Sequence, residues 1–310
     1  MSTHWSTEQI PDQSGRTAVV TGANSGLGLV TSRELARKGA RVIMACRSTD
    51  KGESAASEIR GQAPDATLDI RALDLSSLES VQAFANDLDL DAGKLDLLIN
   101  NAGIMMTPQQ TTHEGFELQF GTNHLGHFAL TGLLLDAVQA ADAGRVVTLS
   151  SIEHKSGHIE FDDLQSENDY APRKAYQQSK LANALFGVEL DRRLRAAGAS
   201  AISVLAHPGY SATNLQSTGP TGVMKRLMSV SNQLVAQSAD NGALPTLYAA
   251  TAPGVEGGDY YGPAGFMEMR GSPTHVDVIP EAKDPEVARR LWEVSEELTE
   301  VRYPLESARA

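Results

Sequence analysis

A tyrosine and a lysine four residues apart are the side chains in this sequence best suited to proton transfer. Tyr176 and Lys180 lie in a segment whose apolar residues recur at helical spacing, so both polar side chains lie on one helix face. An isolated tyrosine has a pKa of about 10, and a nearby ammonium favours its ionised form. The pair therefore predicts a general acid and base, although the same spacing is also common in pairs of surface residues. The apolar stripe consists of Ala175, Leu181, Leu185 and Val188.

A pair of serines stands at the end of another apolar run. The run "RVVTLS" ends at Ser150, and Ser151 follows it directly. Ligands of parallel α/β sheets bind at the carboxyl ends of the strands, so a hydroxyl here can hydrogen-bond a substrate oxygen while Tyr176 exchanges its proton. The alternative is a serine that caps the end of the strand, a role that suits Ser150 better than Ser151.

A glycine-rich loop, "TGANSGLG" at residues 21–28, separates the apolar run "TAVV" from an amphipathic segment. Gly22, Gly26 and Gly28 allow a tight turn and a close approach of the backbone. The helix that follows would direct its free N–H groups at an anion such as a pyrophosphate. The spacing is G-x-x-x-G-x-G and not the G-x-G-x-x-G of the common dinucleotide motif, so a plain turn remains the alternative.

Short apolar runs alternate with helical patterns through the first two hundred residues. The runs are rich in Val, Ile and Leu and mostly do not alternate with polar residues, as expected for strands covered on both faces. Strand and helix in alternation predict an α/β fold: a single Rossmann-type, doubly wound parallel sheet of about seven strands with helices on both faces. The predicted strands are 17–21, 41–46, 67–73, 95–100, 145–150 and 201–206, and helices are predicted at 27–38, after a capping box of Ser76 and Glu79, and at 283–301.

The sequence predicts one domain with a short segment at each end. We expect an extension over 1–14, a dinucleotide-binding catalytic domain over 15–270 with a substrate loop at about 210–238, and a helical tail over 271–310. The 310 residues are 41% hydrophobic and 21% charged, which is typical of a soluble globular protein.

Charge and cysteine content exclude several functional classes. A net charge of −13 disfavours a nucleic-acid surface or a polybasic membrane anchor, because both need clustered Lys and Arg. A single cysteine, Cys46, permits no intrachain disulfide, and its apolar neighbours favour a packing role. No signal peptide or membrane span is apparent, so a cytoplasmic protein without a membrane anchor is expected.

Three short motifs follow one another along the chain in the order that one enzyme family shows. "TGANSGLG", "NNAG" at 100–103 and "YQQSK" at 176–180 together resemble the short-chain dehydrogenase/reductase family from about residue 15 to about 265. The long insert between Ser151 and Tyr176, with "FDDL", "SKLAN" and "HPG", is similar to the retinol dehydrogenase branch and to the oxidoreductase half of WW-domain oxidoreductases. The resemblance implies a nicotinamide-dependent oxidoreductase of CH–OH groups.

The resemblance also assigns roles to residues. The second serine, Ser151, would orient the substrate oxygen, Lys180 would tune Tyr176 and hold the ribose, and Asn123 would keep a water near the lysine. The positive nicotinamide of the oxidised cofactor would add to the effect of Lys180 on the phenol. The cofactor-binding positions implied are Gly22, Asn24, Ser25, Gly26, Leu27, Gly28, Arg47, Asp74, Leu75, Asn101, Ala102, Gly103, Tyr176, Lys180, Pro208, Gly209 and Thr213.

The end of the second strand predicts which nicotinamide cofactor is used. An acidic residue there would bind the ribose hydroxyls of NAD, but the sequence "MACRS" places Arg47 at this point. A guanidinium matches the geometry of a phosphate, so we expect NADP(H) in preference to NAD(H). Asp74 resembles the family residue near the adenine, and the alternative is that it only helps to start the next helix.

The sequence therefore predicts an NADPH-dependent reductase, reversibly an alcohol dehydrogenase, that acts on an apolar carbonyl compound. A stripe of Met224, Leu227, Met228 and Val230 is the reason for expecting an apolar substrate. The rival from another class is a non-catalytic NADP-binding regulatory or scaffold protein. A nucleotide-sugar epimerase or dehydratase is a weaker alternative, because those relatives usually have longer substrate domains after residue 210.

Other readings of the polar residues are disfavoured. His113, His124 and His127 have no carboxylate or cysteine beside them at a zinc-binding spacing, so no metal is expected. Thr213 stands where a hydrolase nucleophile elbow would have its last glycine. The resemblance implies a homodimer or homotetramer paired through the helices that carry Asn123 and Tyr176, unless the insert and the tail block that contact.

Overall fold

One twisted sheet forms the centre of the computed structural model, which describes residues 4–210 and 238–305. Within those residues the sheet has eight strands in the order β3-β2-β1-β4-β5-β6-β7-β8. All neighbouring strands are parallel except β7 and β8, which are antiparallel. The strands are β1 (Thr17–Thr21), β2 (Arg41–Cys46), β3 (Leu68–Ala72), β4 (Leu97–Asn100), β5 (Arg145–Leu149), β6 (Ile202–Ala206), β7 (Tyr260–Pro263) and β8 (Pro273–His275).

Helices cover both faces of this sheet, which explains the continuous apolar strands. All five residues of β1 are buried, with Ala18 and Val20 in one apolar cluster and Val19 in another. The α/β doubly wound parallel architecture predicted from the sequence is therefore confirmed. The helices are α1 (Gly26–Arg37), α2 (Thr49–Gln62), α3 (Leu78–Asn86), α4 (Gly126–Ala140), α5 (Pro172–Ala196), α6 (Ala239–Thr251) and α7 (Pro285–Thr299).

The strand order reverses at β1, and this reversal positions the candidate site. Strand β1 pairs with β2 on one side and with β4 on the other. The connections after β1 and β4 therefore diverge and leave a crevice at their carboxyl ends, where α/β folds bind ligands. The glycine loop after Thr21 and the segment after Asn100 lie at this crevice.

All six strands predicted from the sequence are present, but the two at the β8 edge were not predicted. Strands β7 and β8 are short and contain Gly262, Pro263 and Pro273, which usually interrupt strands. Their hydrogen bonds come from pairing with residues distant along the chain, so no local pattern marks them. The antiparallel β8 ends the sheet.

The start of α3 differs from the predicted capping box. The N-cap is Ser77, whose hydroxyl accepts the N–H of Ser80 at 3.2 Å. Ser76 lies one residue earlier, and its hydroxyl donates instead to Asp74 Oδ1 at 2.6 Å. The prediction that Ser76 and Glu79 form the box was therefore wrong by one residue, because Asp74 competes for the Ser76 side chain.

The helix predicted at 283–301 is α7 (Pro285–Thr299), and one of its faces packs into the core. Asp284 caps its start by accepting the N–H groups of Glu286 and Val287. One face buries Trp292, which is only 2% exposed. Within residues 4–210 and 238–305, no helix combines the length and the apolar character that a membrane span would require.

We expect the substitution Trp292→Ala to lower the free energy of unfolding by about 3 to 5 kcal/mol, the usual loss for truncating a large buried aromatic side chain. The Trp292 ring contacts Phe128, Phe186 and Tyr303 at centroid distances of 5.1, 5.9 and 4.4 Å, and the Arg193 guanidinium lies 4.3 Å from its centroid. Urea denaturation followed by circular dichroism measures the change.

The matched control is Phe266→Ala, since Phe266 is 84% exposed and its removal should cost less than about 0.5 kcal/mol. Equal losses in the two variants would show that α7 does not anchor the fold through Trp292.

Candidate active site

The two serines after β5 have different surroundings. Ser150 is buried, and its hydroxyl donates to the backbone oxygen of Lys180 at 2.7 Å, which ties β5 to α5. Ser151 is partly exposed and caps the turn Ile152–Ser156, where its hydroxyl accepts the N–H of Glu153 at 3.2 Å. The Ser151 hydroxyl also lies near the Tyr176 side chain and lowers its pKa, so it is the serine of the pair that reaches the tyrosine.

Helix α5 brings Tyr176 and Lys180 to the same place. The helix begins at Pro172, a residue that is favoured in the first turn because its missing N–H needs no partner there. Tyr176 is 6% exposed and Lys180 is 4% exposed. The Lys180 ammonium lies 5.8 Å from the centre of the Tyr176 ring and donates to the backbone oxygen of Leu149 at 3.2 Å.

Burial controls the ionisation of both groups. It raises the pKa of Tyr176 to about 12, although the hydrogen bond with Ser151 acts in the opposite direction. Burial also lowers the pKa of Lys180 to about 8. The described residues therefore keep the Tyr176 phenol protonated near neutral pH, which is the form that can give a proton. Its use as a base requires a further positive charge nearby.

Asn123 lies in a wide helical turn, Gly121–Leu125, immediately before α4. Its Oδ1 accepts the N–H of Ile104 at 2.8 Å, and its Nδ2 donates to the oxygen of Ile104 and to Ser179 Oγ at 3.0 and 2.9 Å. Such π turns are frequent at functional sites. The side chain of Asn123 therefore joins the segment after β4 to the helix that carries Tyr176.

Gly103 lets the backbone after β4 approach the predicted catalytic side chains Asn123 and Lys180. A Cβ atom at this position would lie 3.3 Å from Asn123 Oδ1 and 3.5 Å from Lys180 Nζ. A Cβ atom would therefore crowd Asn123 Oδ1 and come into van der Waals contact with Lys180 Nζ. The "NNAG" motif thus meets the predicted catalytic residues directly.

A buried chain of polar groups from β1 to Asn123 was not predicted from the sequence. The Thr21 hydroxyl accepts the N–H groups of Asn101 and Ala102, each at 2.9 Å, and lies 2.9 Å from Nε2 of His127. Nδ1 of His127 lies 2.9 Å from the backbone oxygen of Asn123. Burial lowers the pKa of His127 to about 4, so the ring is neutral.

The partners of the His127 ring determine where its proton lies. A backbone oxygen can only accept, so Nδ1 donates to Asn123 and Nε2 accepts the Thr21 hydroxyl proton. The chain of hydrogen bonds therefore holds the glycine-loop strand, the "NNAG" segment and the Asn123 turn together. A polar residue at the end of an apolar strand and a histidine in an apolar helix were the only signals for it.

The glycine loop is turned and packed so tightly that Gly22 and Gly28 have little room for side chains. Gly22 and Gly26 have φ values of +67° and +56°, in the left-handed region that favours glycine. A Cβ atom on Gly28 would lie 2.4 Å from the oxygen of Gly22 and 2.6 Å from Nδ2 of Asn101. Ser25, the N-cap of α1, gives no side-chain hydrogen bond to the first turn. These features suit an anion at the start of α1.

The other predicted cofactor positions lie around the same edge of the sheet. Arg47 is exposed directly after β2, and Asp74 follows β3 with its Oδ1 accepting the N–H and hydroxyl of Ser76. Gly209 follows β6 with a φ of +64°. Leu75 is buried, Leu27 lies in the first turn of α1, Asn24 lies in the glycine loop and Pro208 precedes Gly209. Thr213 and the stripe over 224–235 lie outside the described residues.

The histidines considered for a metal site have other partners. Nε2 of His124 lies 2.9 Å from the hydroxyl of Ser295 on α7, and His127 belongs to the chain of hydrogen bonds described above. Within residues 4–210 and 238–305, no group of three His, Cys, Asp or Glu side chains is arranged to hold a metal ion. Burial raises the pKa of the Cys46 thiol to about 11, which disfavours a thiolate there.

We expect Lys180→Met to stabilise the cofactor-free protein at pH 7 by about 3 kcal/mol, because the substitution removes a buried charge. The pKa of Lys180 is lower in the folded chain than its ordinary 10.5, so the unfolded chain binds more protons between pH 8 and 10.5. The unchanged protein gains stability over that range, and its difference from the variant shrinks.

Urea titrations at pH 7, 9 and 10.5 measure this difference. The control is Lys51→Met, since Lys51 is exposed and its loss should give no such pH-dependent gain. If Lys180→Met were no more stable than the unchanged protein at pH 7, burial of the Lys180 charge would not destabilise the fold.

Solved structures share this arrangement of strands and helices. The crystal structure of an uncharacterized protein from Mycobacterium paratuberculosis aligns with a TM-score of 0.82 and 45% identity over 98% of this chain and 100% of that chain. A short chain dehydrogenase from Shigella flexneri 2a, solved in complex with NADP, aligns with a TM-score of 0.63 and 22% identity over 81% of this chain and 98% of that chain. The second likeness concerns the fold alone.

Sequence comparison gives relatives of known family. Human retinol dehydrogenase 13 is 42% identical over 94% of this chain and 86% of its own length, and mouse retinol dehydrogenase 12 is 43% identical over 95% and 89%. The sequence model of the short chain dehydrogenase family matches residues 16–221. The predicted resemblance to this family and to its retinol dehydrogenase branch is thus confirmed. The chain belongs to the short chain dehydrogenase family.

Proposed function

We propose that the protein is an NADP(H)-dependent oxidoreductase that interconverts an apolar aldehyde or ketone and the corresponding alcohol. One observation carries the proposal: the Tyr176 phenol is held protonated beside the Ser151 hydroxyl and the Lys180 amine, at the carboxyl edge of the sheet. A proton donor and a hydroxyl at a ligand-binding edge are what carbonyl reduction needs from the protein.

The residues present suit a dinucleotide. The glycine loop leads into α1, whose first turn receives no side-chain cap and is where the diphosphate would bind, and Asn101 to Gly103 would line the adenosine ribose. Lys180 would hold the other ribose, and the turn at Pro208 and Gly209 would support the nicotinamide. When bound, the cofactor supplies or accepts the hydride.

The side chains of this chain would handle the proton and the substrate oxygen. Tyr176 would hold the proton at its hydroxyl oxygen and give it to the substrate oxygen, which the Ser151 hydroxyl orients. In the opposite direction, alcohol oxidation, Tyr176 must be ionised to accept a proton. Lys180 would keep a positive charge near the phenol and so favour that ionised form. Asn123 would maintain the position of the segment after β4 against Lys180.

Arg47 is the reason for preferring NADP(H). Its side chain is exposed directly after β2, at the position where an acidic residue would bind the ribose hydroxyls of NAD. A guanidinium there can bind the additional phosphate of NADP through two parallel hydrogen bonds.

The choice of an apolar substrate is supported by the relatives. Several relatives that match more than 90% of this chain are named retinol dehydrogenases, and retinol is an apolar alcohol. The residues predicted to line the substrate pocket, Met224 and its neighbours, lie outside the described residues, so the sequence alone supports that part of the proposal.

We expect Tyr176→Phe to reduce turnover by roughly 100- to 10,000-fold, since the phenyl ring keeps the packing but removes the general acid. The assay follows NADPH absorbance with a panel of apolar aldehydes and ketones that includes retinal. NADPH binding, measured by its fluorescence, should be retained.

The matched control is Tyr248→Phe, because Tyr248 lies on α6 and contacts Trp5 and Tyr261, away from the candidate site. Full turnover by Tyr176→Phe would refute the proposed chemistry. Binding of NADPH without turnover of any panel member by the unchanged protein would favour the non-catalytic alternative.

We expect Arg47→Asp to lower the preference for NADPH over NADH by roughly 10- to 100-fold, the ratio that corresponds to one lost charged hydrogen-bonding partner. The measurement is the dissociation constant of each cofactor. Lys94→Asp makes the same change of charge at an exposed residue before β4, at the opposite edge of the sheet, and should leave the preference unchanged. An unchanged ratio in Arg47→Asp would rule out Arg47 as the phosphate partner.

A further inference from the structure

The connection between β7 and β8 carries a carboxylate that contacts the loops after β5 and β6. Glu268 lies in the turn Phe266–Glu268, and it adopts a φ of +55°, which a residue with a side chain rarely takes. Its Oε2 lies 3.2 Å from Nε2 of His207, and its Oε1 lies 2.5 Å from the Lys155 ammonium. The carboxylate thus contacts residues from two other loops.

His207 follows β6 and is completely buried. Its Nδ1 accepts the N–H of Gly209 at 3.2 Å, so its proton lies on Nε2, which faces the Glu268 carboxylate. A Cβ atom on Gly262 of β7 would lie 2.0 Å from this Nε2, so glycine is required there to make room for the ring. Glu268 therefore determines which nitrogen of His207 can hold the turn at Gly209.

The backbone of the same turn rests on the β7–β8 connection. The N–H of Tyr210 donates to the oxygen of Met269 at 2.9 Å. A Cβ atom on Gly209 would lie 2.5 Å from that oxygen and 2.8 Å from the oxygen of Glu268. The two segments are in direct contact, and Gly209 is needed for that contact.

Lys155 adds a link to the catalytic serine. It lies in the turn Ile152–Ser156, which Ser151 caps. The contacts with His207 and Lys155 lower the pKa of Glu268 to about 2, so the carboxylate is ionised at neutral pH. The Glu268 and Lys155 side chains are 23% and 34% exposed, so water screens this ion pair less than it screens a fully exposed surface pair.

We propose that Glu268 is a cofactor-positioning residue: through His207 and Lys155 it fixes the turn at Pro208 and Gly209 relative to the Ser151 loop. The inference rests on the proposed function, in which that turn supports the nicotinamide. Glu268 acts on the cofactor through His207 and the backbone, without touching the reacting atoms.

The test compares two ligands that differ in the nicotinamide half. Glu268→Gln keeps the size of the side chain and removes its charge. We expect its dissociation constant for NADPH to rise roughly tenfold, and that for 2′,5′-ADP, which lacks the nicotinamide, to change less than about twofold. Fluorescence and calorimetric titrations measure these constants.

Hydrogen exchange in the cofactor-free protein tests the connection between Glu268 and the turn at Gly209 independently of binding. The amides of Gly209 and Tyr210 should exchange faster in Glu268→Gln, whereas those of β5 should not change. The control is Glu281→Gln, whose carboxylate lies 3.0 Å from exposed His158. That variant should alter neither exchange nor binding.

Three results would overturn the positioning role. Equal weakening of NADPH and 2′,5′-ADP binding by Glu268→Gln would show a general loss of structure. Faster exchange with unchanged NADPH binding would show that the Glu268 contacts stabilise the turn without affecting the cofactor. Failure of the unchanged protein to bind either ligand would overturn the proposed function together with this inference. This outcome can be told apart from the first two, because both of those require binding by the unchanged protein.

Discussion

The burial of the Lys180 amine is the constraint on which the arrangement of the site depends. Among the described residues its hydrogen-bond partner is the backbone oxygen of Leu149, and no carboxylate forms an ion pair with it. Burying a cation in this way costs free energy, and the lowered pKa of Lys180 expresses that cost. The surrounding sheet and helices must be stable enough to hold the amine at this position.

Neutral polar groups, not charges, keep the rest of this region in place. The Thr21 hydroxyl, the uncharged His127 ring and the backbone of Asn123 form a chain in which each donor meets an acceptor. Satisfied buried networks of this kind are rigid, whereas a half-satisfied one would add to the cost of burying Lys180. The site thus has one buried cation beside a chain of uncharged groups that are hydrogen-bonded to one another.

Local patterns were sufficient to predict most of the sheet, because its strands have short-range signals. The strands β1 and β2 were predicted at their observed bounds, since runs such as "TAVVT" between turn residues have few other solutions. Strand β8 was not predicted, because three residues with a proline show no pattern of their own. The α3 cap was misplaced because Asp74 engages Ser76, a contact that the capping-box pattern does not contain.

The parts of the site that could not be predicted depend on contacts between distant residues. Glu268 meets His207 and Lys155 only after β6 and β7 have paired, so the sequence offers no signal for the cluster. The pKa of Tyr176 differs from the sequence-based expectation for a similar reason. The spacing to Lys180 indicated a lowered pKa, whereas burial raises the pKa in the protein without cofactor. Residue spacing does not reveal burial.

The wide turn at Gly121–Leu125 also has a consequence for how this chain can change in length. Each residue of a regular helix adds about 100° of rotation, so the extra residue in this turn sets the angle between the helical segments on either side. Deleting one residue would give a regular helix, but it would rotate the buried Phe120 and Gln119 away from their present neighbours. A single-residue deletion would shift the register of the helical segment before the turn. The number of residues here is therefore constrained in addition to the identity of Asn123, whose side chain binds Ile104 and Ser179.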